Sequence, residues 1–311
     1  MNDYRRIQAA IEYIEDRLQE ELHIADIAAQ ACYSPFHFQR MFRAISGFTV
    51  QEYIRKRRLS EAALALRSTG QSILDIALAY QYKSQEGFTR AFENCFGMSP
   101  GKYRKADLAC SRQEKINFID DPSIRKGNDA LMKPTIADLP AKEIVGYAYR
   151  TSLNDDRHYV EIPGFYREFG ESQRYARIPS PAAPSMAYGV SCEFEETGEF
   201  TFVVGEEVQP DIDATRLESG YVHIQLTAGT YAEFKAYGPA HTVQEIRDYI
   251  YGTWLPQSNY DRREGPDFEV TDVMKSSYPD EMRIKIYIPI CAPGRPFLLK
   301  DDNSHLMRTP S

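Results

Sequence analysis

The sequence predicts a multidomain chain: an all-α double helix-turn-helix domain, followed by an α+β domain of two pseudo-repeated strand-helix-strand-strand units. Three observations predict it. The stretch SPFHFQRMFRAISG at Ser34–Gly47 returns fifty residues later as SQEGFTRAFENCFG at Ser84–Gly97. From Pro134 the helical spacing of apolar residues gives way to short runs of β-branched and aromatic residues. Charge divides the same way: Leu22–Cys110 holds 12 Lys and Arg against 7 Asp and Glu, a net of +5, and Ser111–Ser311 holds 22 against 32, a net of −10. The expected segments are a helical domain at 1–107, a polar linker at 108–133, an α+β domain at 134–291 and a tail at 292–311.

Tyr4–Glu21 opens the chain with Ile7, Ala10, Ile11, Ile14 and Leu18 at helical spacing, an amphipathic helix for the first repeat to pack on. In the repeat itself Phe38 matches Phe88, Arg40 matches Arg90, Phe42 matches Phe92, Gly47 matches Gly97 and Tyr53 matches Tyr103. Upstream, Ile24, Asp26, Ile27, Ala28 and Tyr33 match Ile73, Asp75, Ile76, Ala77 and Tyr82 one residue out of that register. The second copy has therefore gained one residue in its connecting turn. A repeat kept this closely is one structural unit used twice.

Each copy reads as helix, turn, helix. Ile24, Ile27, Ala28 and Ala31 form a short apolar face, and Cys32-Tyr33 make the turn. Ser34 caps the next helix, with Pro35 in its first position, where a missing amide costs nothing. Phe38, Met41, Phe42 and Ile45 then share one face until Gly47 ends the helix. The second copy repeats this with Ile73, Ile76, Ala77 and Tyr80, a turn at Gln81–Lys83, the cap Ser84, a buried stripe of Phe88, Ala91, Phe92 and Cys95, and Gly97. Val50–Thr69 is the long helix between the copies. At about 17–20 residues it spans roughly 25–30 Å.

The face left outward on the second helix is Phe36, His37, Gln39, Arg40 and Arg43 in the first copy, and Gln85, Glu86, Thr89, Arg90 and Glu93 in the second. Arg and Gln early in a helix that follows a tight turn are the side chains that pair with guanine and adenine edges in the major groove. One such helix is as well explained as a wet surface. Two copies with Arg in the matching place favour DNA. The helix between them is somewhat shorter than the about 34 Å between successive major grooves, so such a domain is expected to bend its DNA or leave one helix partly disengaged. RKRR at Arg55–Arg58 is the densest basic run, placed to serve phosphates.

The pieces SPFHFQRMF, GFTVQEYIRKRRLSEAALAL and ILDIALAYQYKSQEGFTRAFENCFGMSPGKYRK, covering Leu22–Lys105, resemble the DNA-binding domain of the AraC/XylS family of transcription regulators. The resemblance implies that Phe36, Gln39, Arg40, Gln85, Glu86, Thr89 and Arg90 lie at or near double-stranded promoter DNA; Arg43, on the same outward face, is expected to join them, and RNA polymerase is expected as a further partner. Phe36 stands where relatives often carry Trp, and Glu86 where a neutral polar residue is common.

In the second half, strands are expected at Glu143–Ser152, Ser185–Phe194, Phe200–Val208, Tyr221–Gly238 (two strands about Ala228-Gly229), Asp267–Met274 and Met282–Ile290. Helices are expected at about 155–175 and 241–254. Two half-sheets with helices on one side leave a groove between the halves, a common place for a small ligand. GTYAEFKAYGP, then IYGTWLPQSNY, EGPDFEV and IKIYIPI resemble the GyrI-like effector-binding domain, found also in drug-sensing regulators of the BmrR kind. The domain order resembles that of Rob-type regulators. The resemblance implies a small-molecule effector, apolar or cationic, with the carboxylate of Glu269 in an aromatic pocket. Tyr149, Trp254, Phe268 and Tyr287 are the ligand contacts it suggests, although each alone is as well explained as core.

Other functions find less support. No run of eighteen apolar residues is present, so no membrane partner is expected, and the charged N-terminus reads as no secretory signal. Five dispersed cysteines without C-x-x-C suit a reducing cytoplasm, and Cys32 and Cys95 fall where the pattern buries them. Six scattered histidines, with no H-E-x-x-H, G-x-S-x-G or P-loop, give no metal, cofactor or catalytic assignment. Two alternatives remain open: a second domain that docks protein without a ligand, and a small-molecule hydrolase fused to a DNA-binding domain.

Overall fold

A computed structural model describes residues 3–106, 112–118, 133–195 and 197–292, with the short strand Met307–Arg308. The chain divides into two compact units, Met1–Arg125 and Lys126–Ser311.

The first unit is built from α1 (Asp3–Asp16), α2 (Ile24–Gln30), α3 (Pro35–Ser46), α4 (Val50–Ser68), α5 (Ile73–Ala79), α6 (Gln85–Phe96) and α7 (Pro100–Lys105). Its repeat is visible atom by atom. Ser34 Oγ accepts from His37 N at 3.4 Å, and Ser84 Oγ accepts from Gly87 N at 3.1 Å. Gly47 and Gly97 close their helices at φ 75° and 72°, in the left-handed region that only glycine enters cheaply. In the turns, Cys32 and Gln81 also turn left-handed, and Tyr33 N and Tyr82 N reach back to the carbonyls of Ala28 and Ala77. Lys83 is then the added residue, between Tyr82 and the cap. Each copy buries an aromatic run of the same make: Phe38, Phe42 and Tyr53 in the first, Phe88, Phe92 and Tyr103 in the second, with ring centroids 5.2–5.6 Å apart. α4 begins with a capping box, Thr49 and Glu52 each holding the other's amide.

Three expectations change here. The first helix ends at Asp16 rather than Glu21. Within the stretch expected as linker, Gln113–Phe118 lies on the first unit. Phe118, 1% exposed, is the apolar anchor of that polar stretch, and its amide donates to Gln8 Oε1 at 2.9 Å. Cys32 and Cys95 are exposed, not buried. The left-handed turn swings Cys32 outward, and Cys95 lies in the last turn of α6, beyond the core. Partial burial pushes the Cys95 thiol above its ordinary value, the opposite of what a redox sensor needs.

The second unit holds β1 (Thr135–Leu139), β2 (Lys142–Ser152), α8 (Arg157–Glu171), β3 (Met186–Cys192), β4 (Glu199–Val208), β5 (Tyr221–Leu226), β6 (Gly229–Gly238), α9 (Thr242–Tyr249), β7 (Asp261–Arg262), β8 (Asp267–Asp272), β9 (Met282–Cys291) and β10 (Met307–Arg308). All the strand pairings are antiparallel, in the order β1-β6-β9-β8-β3-β4-β2-β5-β10, with β7 on β9. The two expected units are β2-α8-β3-β4 and β6-α9-β8-β9, and they meet at the β3–β8 pair. β5 is the additional strand. The reading missed β1, whose TIADL alternates no apolar face, the two-residue strand β7, and α7. Beyond Ala292 the tail lies outside the described residues except for β10, which pairs with β5.

β5 and β6 stand six places apart in the sheet, yet only Thr227 and Ala228 join them. Six strand spacings of a flat sheet cover about 29 Å, and three steps along the chain reach about 11 Å. The sheet therefore curls until its flanks approach. Arg263 ties the junction, donating to Thr227 Oγ1 at 2.8 Å and lying over the Tyr231 ring. The curled inner face is filled by Ile144, Val190, Val203, Ile224, Tyr231 and Phe268. The other face packs Val145, Phe202 and Val204 against Phe165 and Phe169 of α8. No helix among the described residues is long and apolar enough to cross a membrane.

Candidate functional site

In the first unit the two second helices differ in how open they are. On α6, Gln85, Glu86 and Arg90 are exposed and Thr89 is half-buried, and together with Leu74 and Glu93 they border one shallow notch. Arg90 forms no ion pair with any described residue. On α3 the predicted face is partly closed. Arg40 lies over the Phe36 ring at 4.9 Å, and Arg43 comes within 4.0 Å of Glu52. His37 and Gln39, expected outside, are buried at 4% and 7%. His37 turns inward because Tyr33, in the preceding turn, offers its ring at 4.4 Å.

The basic run divides in a way its sequence did not suggest. Arg57 is buried and gives every arm of its guanidinium away: Nε and Nη2 to Glu15, Nη2 to Glu61 and Nη1 to the Gln113 carbonyl. Arg58 donates to the Leu18 and Glu20 carbonyls. Both fasten α4 to the end of α1 and are not offered to phosphates. Arg55 is exposed, and Lys56 is half-buried over the Phe48 ring.

In the second unit a cavity of about 410 Å³ opens on the helix side of the sheet, between α8 and the start of α9. It crosses the seam between the halves, where a groove is expected. Ile162, Tyr166 and Phe169 wall it from α8, Tyr278 from the loop after β8, and Glu206 and Glu269 from the sheet. Glu269 is 4% exposed and fully engaged. Its Oε1 accepts from the Tyr166 hydroxyl at 2.9 Å, and its Oε2 pairs with Arg247 of α9 at 2.7 Å. Gly189, which pairs with Glu269 across the seam, makes room: a Cβ there would meet the Tyr166 hydroxyl, the Phe202 ring and the Glu269 side chain. Burial, then the Glu269 carboxylate, push the Tyr166 hydroxyl well above its ordinary value. Burial alone would lower Arg247, but Glu269 and Asp267 outweigh it and hold it up. A second buried pair, Arg262 with Asp267 at 2.6 Å, takes the Tyr251 hydroxyl as well and fixes the helical turn after α9 to β8.

The remaining predicted ligand residues do not join Glu269. Phe268 and Tyr287 are cross-strand partners one residue out of its phase, so they face the other side of the sheet. They stack there at 4.7 Å and line a separate cavity of about 430 Å³ with Tyr188, Lys142 and Lys285. Tyr149 is half-buried against Phe165, and Trp254 packs edge-on to Phe234 and beside Tyr260. Neither borders either of these two cavities. Sequence reasoning missed Tyr166, Arg247 and Glu206. Glu206 had a readable signal: in FTFVVGEEV it shares the phase of the apolar residues Phe202, Val204 and Val208.

Compared with known proteins, residues 27–106 match the model of a helix-turn-helix domain, and residues 135–290 match that of an integron-associated effector binding protein. The Right origin-binding protein of Escherichia coli K12 is 31% identical over 291 residues, covering 89% of this chain and 95% of that one. The Transcriptional regulator Rob of Salmonella typhimurium is 32% identical over 298 residues, with the same coverage. Among solved structures, an integron cassette protein of Vibrio cholerae aligns with 51% of this chain and 95% of its own, at 20% identity and a TM-score of 0.37.

Proposed function

This chain belongs to the Rob-like regulators, in which an AraC-type DNA-binding module precedes an effector-binding domain, and from that premise we propose how its own residues divide the work. The first unit reads promoter DNA chiefly through α6. Gln85, Glu86, Thr89 and Arg90 stand together at its open face, with Phe36, Arg40 and Arg43 of α3 as the second, tighter reader and Gln39 supporting that helix from a buried position. The observation that carries this is the exposed Arg90, without an ion pair among the described residues, on a helix whose cap, turn and core copy those of α3. The second unit holds a small apolar or cationic effector in the helix-side cavity and alters what the first unit does at the promoter. A ligand achieves this only by preferring one of two states. RNA polymerase is the partner through which the regulator acts, in the cytoplasm where the promoter is.

The test is binding to duplex selected from random DNA, followed by fluorescence anisotropy at physiological salt. Arg90→Ala is expected to lose about 1–3 kcal/mol of affinity and to relax the preference for one base pair. Arg40→Ala is expected to lose less, since its guanidinium already lies on Phe36. Unchanged affinity in both variants would end the DNA-reading assignment.

A further inference from the structure

We propose that Glu206 is the residue with which a singly charged, aromatic-bearing cation pairs in the helix-side cavity, and that Glu269 is a positioning residue already neutralised from within the chain. This rests on the reading that the cavity holds the effector. Glu269 is already engaged at both oxygens, one accepting from Tyr166 and the other paired with the buried Arg247. A guest cation meets a charge already balanced by Arg247, and parting that pair would strand a buried guanidinium, which is strongly unfavourable. Glu206 is the contrast. It is 6% exposed, lines the same cavity, and has no hydrogen bond or ion pair with any described residue. A buried carboxylate is normally paired or hydrogen-bonded. One left bare on the wall of an apolar cavity is complementary to positive charge brought in from outside.

The strand register places it. Glu269 pairs with Gly189, Gly189 pairs with Val204, and Glu206 lies two residues further along β4. Both carboxylates therefore project from one face, roughly 12 Å apart between Cα atoms by strand spacing and rise. That gap admits a drug-sized guest. Glu206 belongs to the first half-sheet and Glu269 to the second, so the guest sits across the seam. The groups facing Glu206 are the Tyr166, Tyr175 and Tyr278 side chains, the Arg247–Glu269 pair, neutral as a whole, and Arg167, which is exposed at the mouth. Aromatic faces add attraction for a cation. Burial pushes the Glu206 carboxyl up to about 7, so part of it is protonated when the cavity is empty. A bound cation favours the ionised form. Affinity for a cation should therefore rise with pH through this range, with release of a proton on binding, whereas affinity for a neutral guest should not.

The experiment is calorimetric titration of the full chain with tetraphenylphosphonium and with neutral triphenylphosphine oxide, at about pH 6 and about pH 8, either side of the raised carboxyl. The wild type should bind the phosphonium more tightly at the higher pH. Glu206→Gln should weaken the phosphonium by about 30-fold or more, keep the oxide, and flatten the pH dependence. Glu269→Gln should weaken the phosphonium less. Glu206→Gln binding the phosphonium as the wild type does would overturn the proposal, as would a larger loss in Glu269→Gln. Binding of the oxide alone by the wild type would leave the effector cavity standing and remove the cation. Binding of neither probe would remove the cavity reading itself. If Glu206→Gln fails to fold, the wild-type pH profile decides, and a flat one overturns the assignment.

Discussion

Arg57 donates to Glu15, Glu61 and the Gln113 carbonyl, so no arm of it is left for a phosphate. Arg55, two residues earlier, is exposed. Arg57→Gln leaves the Glu15 carboxylate, 10% exposed, without its ion-pair partner and with the Tyr53 hydroxyl still donating to it, and should cost about 3–5 kcal/mol. Urea melts followed by far-UV circular dichroism, to which the helical unit contributes most, will show it. Arg55→Ala should stay within about 0.5 kcal/mol in the same melt yet lower the slope of log affinity for DNA against log salt by about 1. An exchange of these two outcomes would mean that Arg57 faces DNA after all. The sequence RKRR does not separate the four, because, Glu61 apart, the partners that take up Arg57 and Arg58 come from α1, the turn after it and the 113 region, all distant in the chain. Glu206 was legible in principle, being a carboxylate in the apolar phase of its strand. Arg247 was not: on α9 it reads as an ordinary wet-face residue, and only the register of β8 beneath it gives it Glu269.

At the scale of elements, caps and stops were the most readable features. Ser34, Ser84, Gly47 and Gly97 act locally, and each sits where its chemistry places it. The strands of the second unit were readable from alternation, and their pairing as two like halves followed from the order of elements. β1 and β7 escaped because their backbone is held by β6 and β9 and not by any pattern of their own. Strand alternation alone sets Phe268 on the face opposite Glu269, and Tyr287 joins it there because the β8–β9 register pairs the two, which the sequence does not give. α4, at 19 residues, is about 28 Å long, short of the roughly 34 Å between grooves. The first unit should accordingly bend its site by tens of degrees or engage α6 well ahead of α3. Circular-permutation mobility shifts with hydroxyl-radical footprints will distinguish these. Equal protection of two grooves on straight DNA would refute both.

On the scale of the whole second unit, curvature is enforced by connectivity. Thr227 and Ala228 join strands from opposite flanks, and the Arg263 guanidinium lies within 3.1 Å of where a Cβ on Gly229 would be. Replacing the two residues with a flexible linker of about sixteen should cost roughly 2 kcal/mol of loop-closure entropy, three doublings at about 0.6 kcal/mol each. A urea midpoint that does not move would mean that side-chain packing, not the short link, closes the sheet.

The β3–β8 seam has a consequence for any guest. A molecule lodged over it touches one half through Glu206 and the other through Glu269, as a rivet crosses two plates. Sliding of the plates is then part of the route by which the rivet works loose. A substitution at the far end of the join, at Ser191, would show up as altered residence time even though it does not border the cavity.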